Sequence, residues 1–123
     1  MSQLQEDVLQ LIREERARQD AKYGVQNFLP QFWPLILEEE VGEWCEAIQE
    51  TVLVGANPER GGLEHMKKEA LHVAAVAVKF IECLERNRKP WEDFYGRRAQ
   101  DGKQEASHDD TGAVTEVEGT VQE

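Results

Sequence analysis

The 123-residue sequence predicts an all-α fold, a bundle of about four helices completed by dimerisation. Three observations carry that expectation. Apolar residues recur at helical spacing through three long segments. Glycine and proline punctuate the chain between those segments. No run alternates apolar and polar residues with the period of two that marks a half-buried strand, and no internal repeat stands out. Residues 1–100 are expected to form the domain, and residues 101–123 an acidic, disordered tail.

The first helix is expected from about Ser2 to Lys22. Ser2 followed three residues later by Gln5 is a capping-box pattern. Leu4, Val8, Leu11 and Ile12 supply the apolar stripe, and Gly24 is a natural stop. The connection from Val25 to Trp33 carries Phe28, Pro30 and Phe32, which is aromatic-rich for a loop and points to packing over something. A second helix starts near Pro34, a favoured first-turn residue, and ends near Gly55. The segment Gly55-Ala56-Asn57-Pro58 through Gly61-Gly62 reads as a turn-rich linker. The third helix runs from about Leu63 to Arg88 and is stopped by Pro90. Trp91, Phe94 and Tyr95 mark a short fourth helix expected to dock on the bundle.

The formal charge of −11 is uneven: residues 1–100 hold 18 acidic and 13 basic side chains, and residues 101–123 hold seven and one. The folded part is thus only mildly acidic and lacks the basic footprint of a nucleic-acid binder. No apolar run approaches the ~18 residues of a membrane span, and there is no signal-peptide pattern, so a cytoplasmic protein without a membrane partner is expected. Cys45 and Cys83 read as small buried hydrophobes rather than a disulfide or a metal pair.

The polar residues are placed by turning the second helix at about 100° per residue. Ile36, Leu37, Val41, Trp44, Cys45, Ala47, Ile48 and Val52 then fall in one half-circle. Glu40 lies inside that arc and Glu43 on its margin, at the i, i+3 spacing at which two carboxylates share an ion. Glu38 and Glu39 fit ordinary helix-start electrostatics, and Glu46 and Glu50 fit a solvated face. The third helix is apolar nearly all round between Ala70 and Leu84, so burial on every side, and with it a homodimer, is expected. Within it Glu69 shares its direction with Val73, Val76 and Phe80, with His72 and Lys79 on an adjoining stripe and His65 one turn before. A buried glutamate needs compensation, and a divalent metal supplies it.

At these residues the chain resembles the MazG-like family of all-α nucleoside triphosphate pyrophosphohydrolases. Glu40-Val41-Gly42-Glu43, within Leu37 to Glu43, is similar to that family's first E-x-x-E pair. Glu69-Ala70-Leu71-His72 is similar in position to its E-x-x-D pair, with His72 where the aspartate belongs. The stretch from Glu14 to Gly24 and the run Val73 to Val78 resemble a phage and bacterial branch, and the likeness covers roughly residues 10 to 95.

The resemblance implies hydrolysis of a nucleoside or deoxynucleoside triphosphate to a monophosphate and pyrophosphate. It implies Mg²⁺, with Mn²⁺ as the alternative, held by Glu40, Glu43, Glu69 and His72, or by Glu39, Glu40, Glu43 and Glu69 with His72 in an outer-shell or phosphate-facing role. Imidazole suits Mn²⁺ or later metals better than Mg²⁺. Glu39 and Glu40 are the expected catalytic residues, Glu39 orienting or deprotonating water. Lys79 and Lys22 are expected to meet phosphate and Trp33 to stack on a base, in a homodimer or tetramer. Two other readings share the same residues. One is a non-catalytic MazG-like scaffold that binds nucleotide or protein. The other is a dinuclear iron or manganese carboxylate bundle, since Glu69-x-x-His72 is also the Glu-x-x-His element of such sites.

Overall fold

The computed structural model describes residues 2–53, 57, 59 and 61–96. Among them every regular element is helical. The contacts divide the chain after Arg86 into two compact units, Met1–Arg86 and Asn87–Glu123. The expected acidic tail, residues 101–123, lies outside the described residues.

Three helices make the first unit: α1 (Gln3–Tyr23), α2 (Trp33–Val52) and α3 (Leu63–Arg86). Both α1 and α2 pack on α3, which is therefore the shared central element. Helix α1 begins as its cap predicts: Ser2 Oγ accepts the Gln5 N–H at 3.1 Å, satisfying one of the donors left open by the first turn. It ends at Gly24, whose φ of +72° suits glycine and whose N–H donates to Asp20 O at 2.8 Å.

Burial on α1 departs from the apolar stripe. Leu4 and Val8 are exposed, and the buried residues are Arg16 and Gln19. Arg16 NH2 reaches Glu82 on α3 at 2.5 Å and Asp20 at 3.1 Å. A charged hydrogen-bonded strut thus replaces apolar packing where α1 crosses α3.

The connection before α2 is tied down from both sides. Arg86 donates to Asn27 Oδ1 and to Gln26 O, both at 3.0 Å, and Lys79 Nζ donates to Gln26 Oε1 at 2.8 Å. The Phe28 carbonyl accepts the Trp33 indole N–H at 3.0 Å and faces the Cys83 thiol at 3.5 Å. A single 3-10 turn, Pro30–Phe32, then feeds α2. Trp33 packs its ring on Phe28 and Phe80, at centroid separations of 5.6 and 5.9 Å, and with Ala47, Ala75, Val76 and Cys83 it forms the small apolar core.

Two expectations for α2 need correction. The helix ends at Val52; Gly55, the expected stop, lies outside the described residues. Cys45 is exposed, not buried. The reason is angular: α3 covers the side of α2 that carries Trp33, Glu40 and Ala47, and Cys45 lies about 160° round from Ala47 at 100° per residue. The far margin of the apolar arc, Cys45 and Val52, is left uncovered.

The turn into α3 depends on glycine. A Cβ on Gly61 would fall 2.7 Å from the Glu50 carbonyl carbon and from Thr51 Oγ1, so only a bare backbone fits there. Gly62, at φ +106°, donates to Thr51 Oγ1 at 2.6 Å, and its carbonyl accepts the Met66 N–H, opening α3. Along α3, Glu69, Ala75, Val76, Lys79 and Cys83 are buried, whereas Ala77 and Ile81 are exposed. The described residues therefore do not surround this helix. No helix of the described residues is long and apolar enough to cross a membrane.

The second unit opens with α4 (Arg88–Trp91) and continues as a π-helical turn over Glu92–Gly96. Helix α3 stops at Arg86, two residues earlier than expected, and Pro90 sits inside α4. A proline is tolerated in a first helical turn because its missing N–H has no partner to lose there. Trp91, Phe94 and Tyr95 form their own edge-to-face cluster, Phe94 and Tyr95 with centroids 4.9 Å apart.

Candidate functional site

Helical spacing and the packing of α2 on α3 bring four polar side chains to one place. Glu40 and Glu43 lie one turn apart on α2, and Glu69 and His72 one turn apart on α3. One ligand atom from each lies within 4.8 Å of all the others. His72 Nδ1 is 3.2 Å from Glu69 Oε1 and 3.6 Å from Glu40 Oε1. On its other side Glu69 Oε2 lies 3.8 Å from His65 Nε2. Only 9% of the Glu69 side chain is exposed, against 24% for Glu40, and Glu43 is open to solvent.

The electrostatics leave this cluster under-compensated. Burial, and then the neighbouring charge of Glu43, hold the Glu40 carboxyl above its ordinary range; Glu69 and Glu39 push the same way and His72 opposes them. Glu40 Oε1 is buried without a hydrogen bond, its 3.6 Å separation from His72 Nδ1 being too long for one. An orphaned buried carboxylate oxygen aimed among three further donors is what a divalent cation satisfies. Three carboxylates and an imidazole are a chemically sound donor set for one.

Glu40, Glu43 and His72 open onto a cavity of about 740 Å³, with Glu69 behind His72. Glu39, Glu40, Glu43 and His72 line it, and so do Arg18, Lys22, Lys68 and Lys79. Carboxylates and cations thus share one concave surface, which suits an anionic ligand bridged to a metal. Lys79 is buried; desolvation first, and Arg16 second, hold its ammonium below the usual lysine range. Its Nζ also lies 5.6 Å from the centre of the Tyr23 ring, close enough for a cation–π contact.

Of the residues singled out from sequence, Lys22, Glu39, Glu40, Glu43, His72 and Lys79 line this one cavity, and Glu69 stands against His72. Trp33 does not belong with them. It is buried, hydrogen-bonded to Phe28 O, and lines a separate apolar groove of about 230 Å³ with Pro34, Leu37 and Phe80. The aromatic residue on the cavity is Tyr23.

Sequence reasoning also passed over Glu15, Arg18, Gln26 and Lys68, all of which line the cavity. Glu15, largely buried on α1, accepts from Arg18 Nε at 2.9 Å, from Arg18 NH2 at 2.6 Å and from Gln19 Nε2 at 3.2 Å. Its Oε2 lies 3.6 Å from His72 Nε2. The hydrogen bonds from Arg18 lead in holding its carboxyl below the ordinary range. The available signal was the stretch Glu15 to Asp20, polar but for Ala17, which leaves the second half of α1 no apolar stripe and so marks a helix facing a polar site.

Compared with family models, with curated proteins and with solved structures, the chain matches none.

Proposed function

We propose that this chain is a metal-dependent nucleoside triphosphate pyrophosphohydrolase of MazG-like type, converting a (deoxy)nucleoside triphosphate and water to the monophosphate and pyrophosphate. The observation that carries the reading is one cavity lined both by Glu40, Glu43 and His72, with Glu69 behind His72, and by four cationic side chains. A triphosphate needs both: a divalent cation among its oxygens, and fixed positive charge along its length.

In this reading Glu40, Glu43, Glu69 and His72 hold Mg²⁺ or Mn²⁺. The bound cation would neutralise phosphate oxygens and make a water molecule more acidic. Glu39, on the cavity rim and the more solvated neighbour of Glu40, orients that water and accepts its proton. Lys22, Lys68, Lys79 and Arg18 bind and orient the phosphates. Tyr23, which lines the cavity and is half exposed, offers the stacking face first assigned to Trp33.

The same reading makes the protein a homodimer. Ile81, Leu35, Val52, Leu53 and Leu63 are exposed on a domain whose own apolar core is small. A second copy of the chain is the partner that covers such faces. A panel of ribo- and deoxyribonucleoside triphosphates assayed with Mg²⁺ and with Mn²⁺ tests the proposal. Pyrophosphate release that Glu40→Gln abolishes is expected. Equal inertness of both proteins toward every nucleotide defeats it.

A further inference from the structure

His72 is held from both sides of its ring. Nδ1 faces the cluster, 3.2 Å from Glu69 Oε1 and 3.6 Å from Glu40 Oε1. Nε2 faces the opposite way, 3.6 Å from Glu15 Oε2 on α1. Glu15 is not a loose surface carboxylate. Its side chain is 11% exposed and is gripped by the Arg18 guanidinium and the Gln19 amide.

A neutral imidazole carries one N–H and one lone pair, and the partner of one nitrogen decides the role of the other. Carboxylate oxygens face both nitrogens: Glu69 Oε1 is within hydrogen-bond distance of Nδ1 at 3.2 Å, and Glu15 Oε2 stands 3.6 Å from Nε2. A dication held among Glu40, Glu43 and Glu69 would take the Nδ1 lone pair in place of that contact, and the hydrogen would then sit on Nε2, facing Glu15. A carboxylate, an imidazole and a cation in series is the arrangement by which an outer group orients a histidine ligand and raises its basicity. Glu40 Oε1, buried and without a hydrogen bond, lies on the Nδ1 side of the ring, 3.6 Å away.

We infer that Glu15 is a positioning residue that presents His72 Nδ1 as a nitrogen ligand, and that this tunes the centre toward a first-row transition-metal dication and away from Mg²⁺. The inference rests on the metal-centre reading above but not on turnover. Mg²⁺ demands oxygen donors in near-octahedral array and gives up its waters reluctantly. Imidazole nitrogen suits Mn²⁺, Fe²⁺ and Co²⁺ better, so the fourth ligand sets the preference.

The test uses the full chain, without nucleotide, titrated with Co²⁺ alone and with Mg²⁺ alone. Wild type is compared with His72→Asp, Glu15→Leu and Glu15→Gln. Most sites with nitrogen and oxygen donors hold Co²⁺ more tightly than Mg²⁺, so the quantity that decides is the ratio of the two affinities. His72→Asp is expected to lower that ratio by about tenfold or more and to shift the Co²⁺ visible absorption as nitrogen gives way to oxygen. Glu15→Leu is expected to weaken Co²⁺ by roughly 10–100-fold with little change in Mg²⁺. Glu15→Gln, which keeps an acceptor beside Nε2, recovers part of that loss.

An unchanged affinity ratio and spectrum in His72→Asp overturns the nitrogen ligand. Unchanged Co²⁺ affinity in folded Glu15→Leu overturns the positioning role. If Glu15→Leu does not fold, the ¹⁵N resonances of His72 in wild type with Zn²⁺ decide: metal on Nδ1 with a proton on Nε2 is expected, and metal on Nε2 overturns the inference. Failure here is separable from failure of the hydrolase reading. Co²⁺ bound as described with every nucleotide left intact removes the hydrolase alone; Mg²⁺-driven turnover with an unchanged ratio in His72→Asp removes the nitrogen ligand alone.

Discussion

Glu40 Oε1 and His72 Nδ1 face each other at 3.6 Å across the packing of α2 on α3, a carboxylate oxygen without a hydrogen bond opposite an imidazole nitrogen. The two residues are 32 positions apart, and only the antagonism between burial and charge makes their meeting informative. A purely structural interface would place leucine or alanine at position 40.

That antagonism fixes a pH dependence. Glu40 has a folded-state pKa raised above its ordinary value near 4.5, by burial first and by Glu43 second. Between the ordinary and the raised value the native state binds more protons than the unfolded chain, so stability falls as pH rises through that window. Above the window the full penalty persists. Metal-free Glu40→Gln is therefore expected to melt higher than wild type at neutral pH. The gap closes as pH falls below the ordinary carboxylate value. Melts with a chelator across pH 4–8 check this, and a lower melting temperature for Glu40→Gln at neutral pH contradicts it.

Glu15 runs the other way. Its lowered pKa, due first to Arg18, supplies stability that is present above the ordinary value and lost as pH falls through the folded one. Glu15→Gln is accordingly expected to melt lower than wild type at neutral pH and to converge with it in acid. A difference that grows on acidification runs against that sign.

The α1–α3 strut is a second target. Glu82→Ala removes the 2.5 Å partner of buried Arg16 but leaves Asp20 in place. A charged hydrogen bond contributes roughly 1.5–3 kcal/mol, and with the Glu82 side chain 43% exposed the expected loss is nearer 1 kcal/mol. Denaturant unfolding measures it. No loss at all shows that the strut is replaced by water without penalty.

Much of the cluster was readable because two helical spacings and one angular rule suffice to put Glu40, Glu43, Glu69 and His72 on inward faces. What the rule cannot do is say which neighbour covers which face. The second half of α1 shows a polar face, but nothing in the spacing of Glu15 says that His72 stands opposite it. The same limit explains Trp33 and Cys45. Trp33 shares the direction of Glu40 but sits two turns nearer the helix start, against Phe28 and Phe80, while the far margin of the apolar arc leaves Cys45 bare.

Gly42 separates a lone helix face from a covered one. It lies within α2 between the two glutamates, and a Cβ there meets nothing within 4 Å. Alanine in place of an interior helical glycine stabilises by about 0.5–1 kcal/mol when space allows. Gly42→Ala is expected to raise the melting temperature. A drop instead reveals a second backbone resting against Gly42 in the assembled protein.

The proposed dimer is tested at Ile81. A charge on this exposed apolar residue of α3 has little to disturb in one chain and much in a pair. Sedimentation of Ile81→Glu is expected to show a folded monomer beside a dimeric wild type. A wild type that is already monomeric at micromolar concentration contradicts the dimer.

The central claim is that the Glu40 cluster and the cations beside it form a triphosphate-hydrolysing site. Pyrophosphate release from a panel of nucleoside triphosphates, with Mg²⁺ or Mn²⁺ and with wild type beside Glu40→Gln, tests it most directly. Metal-dependent release by wild type, reduced by about 10²-fold or more in Glu40→Gln, is the expected result. No release from any nucleotide with either metal, or equal release by the two proteins, contradicts it.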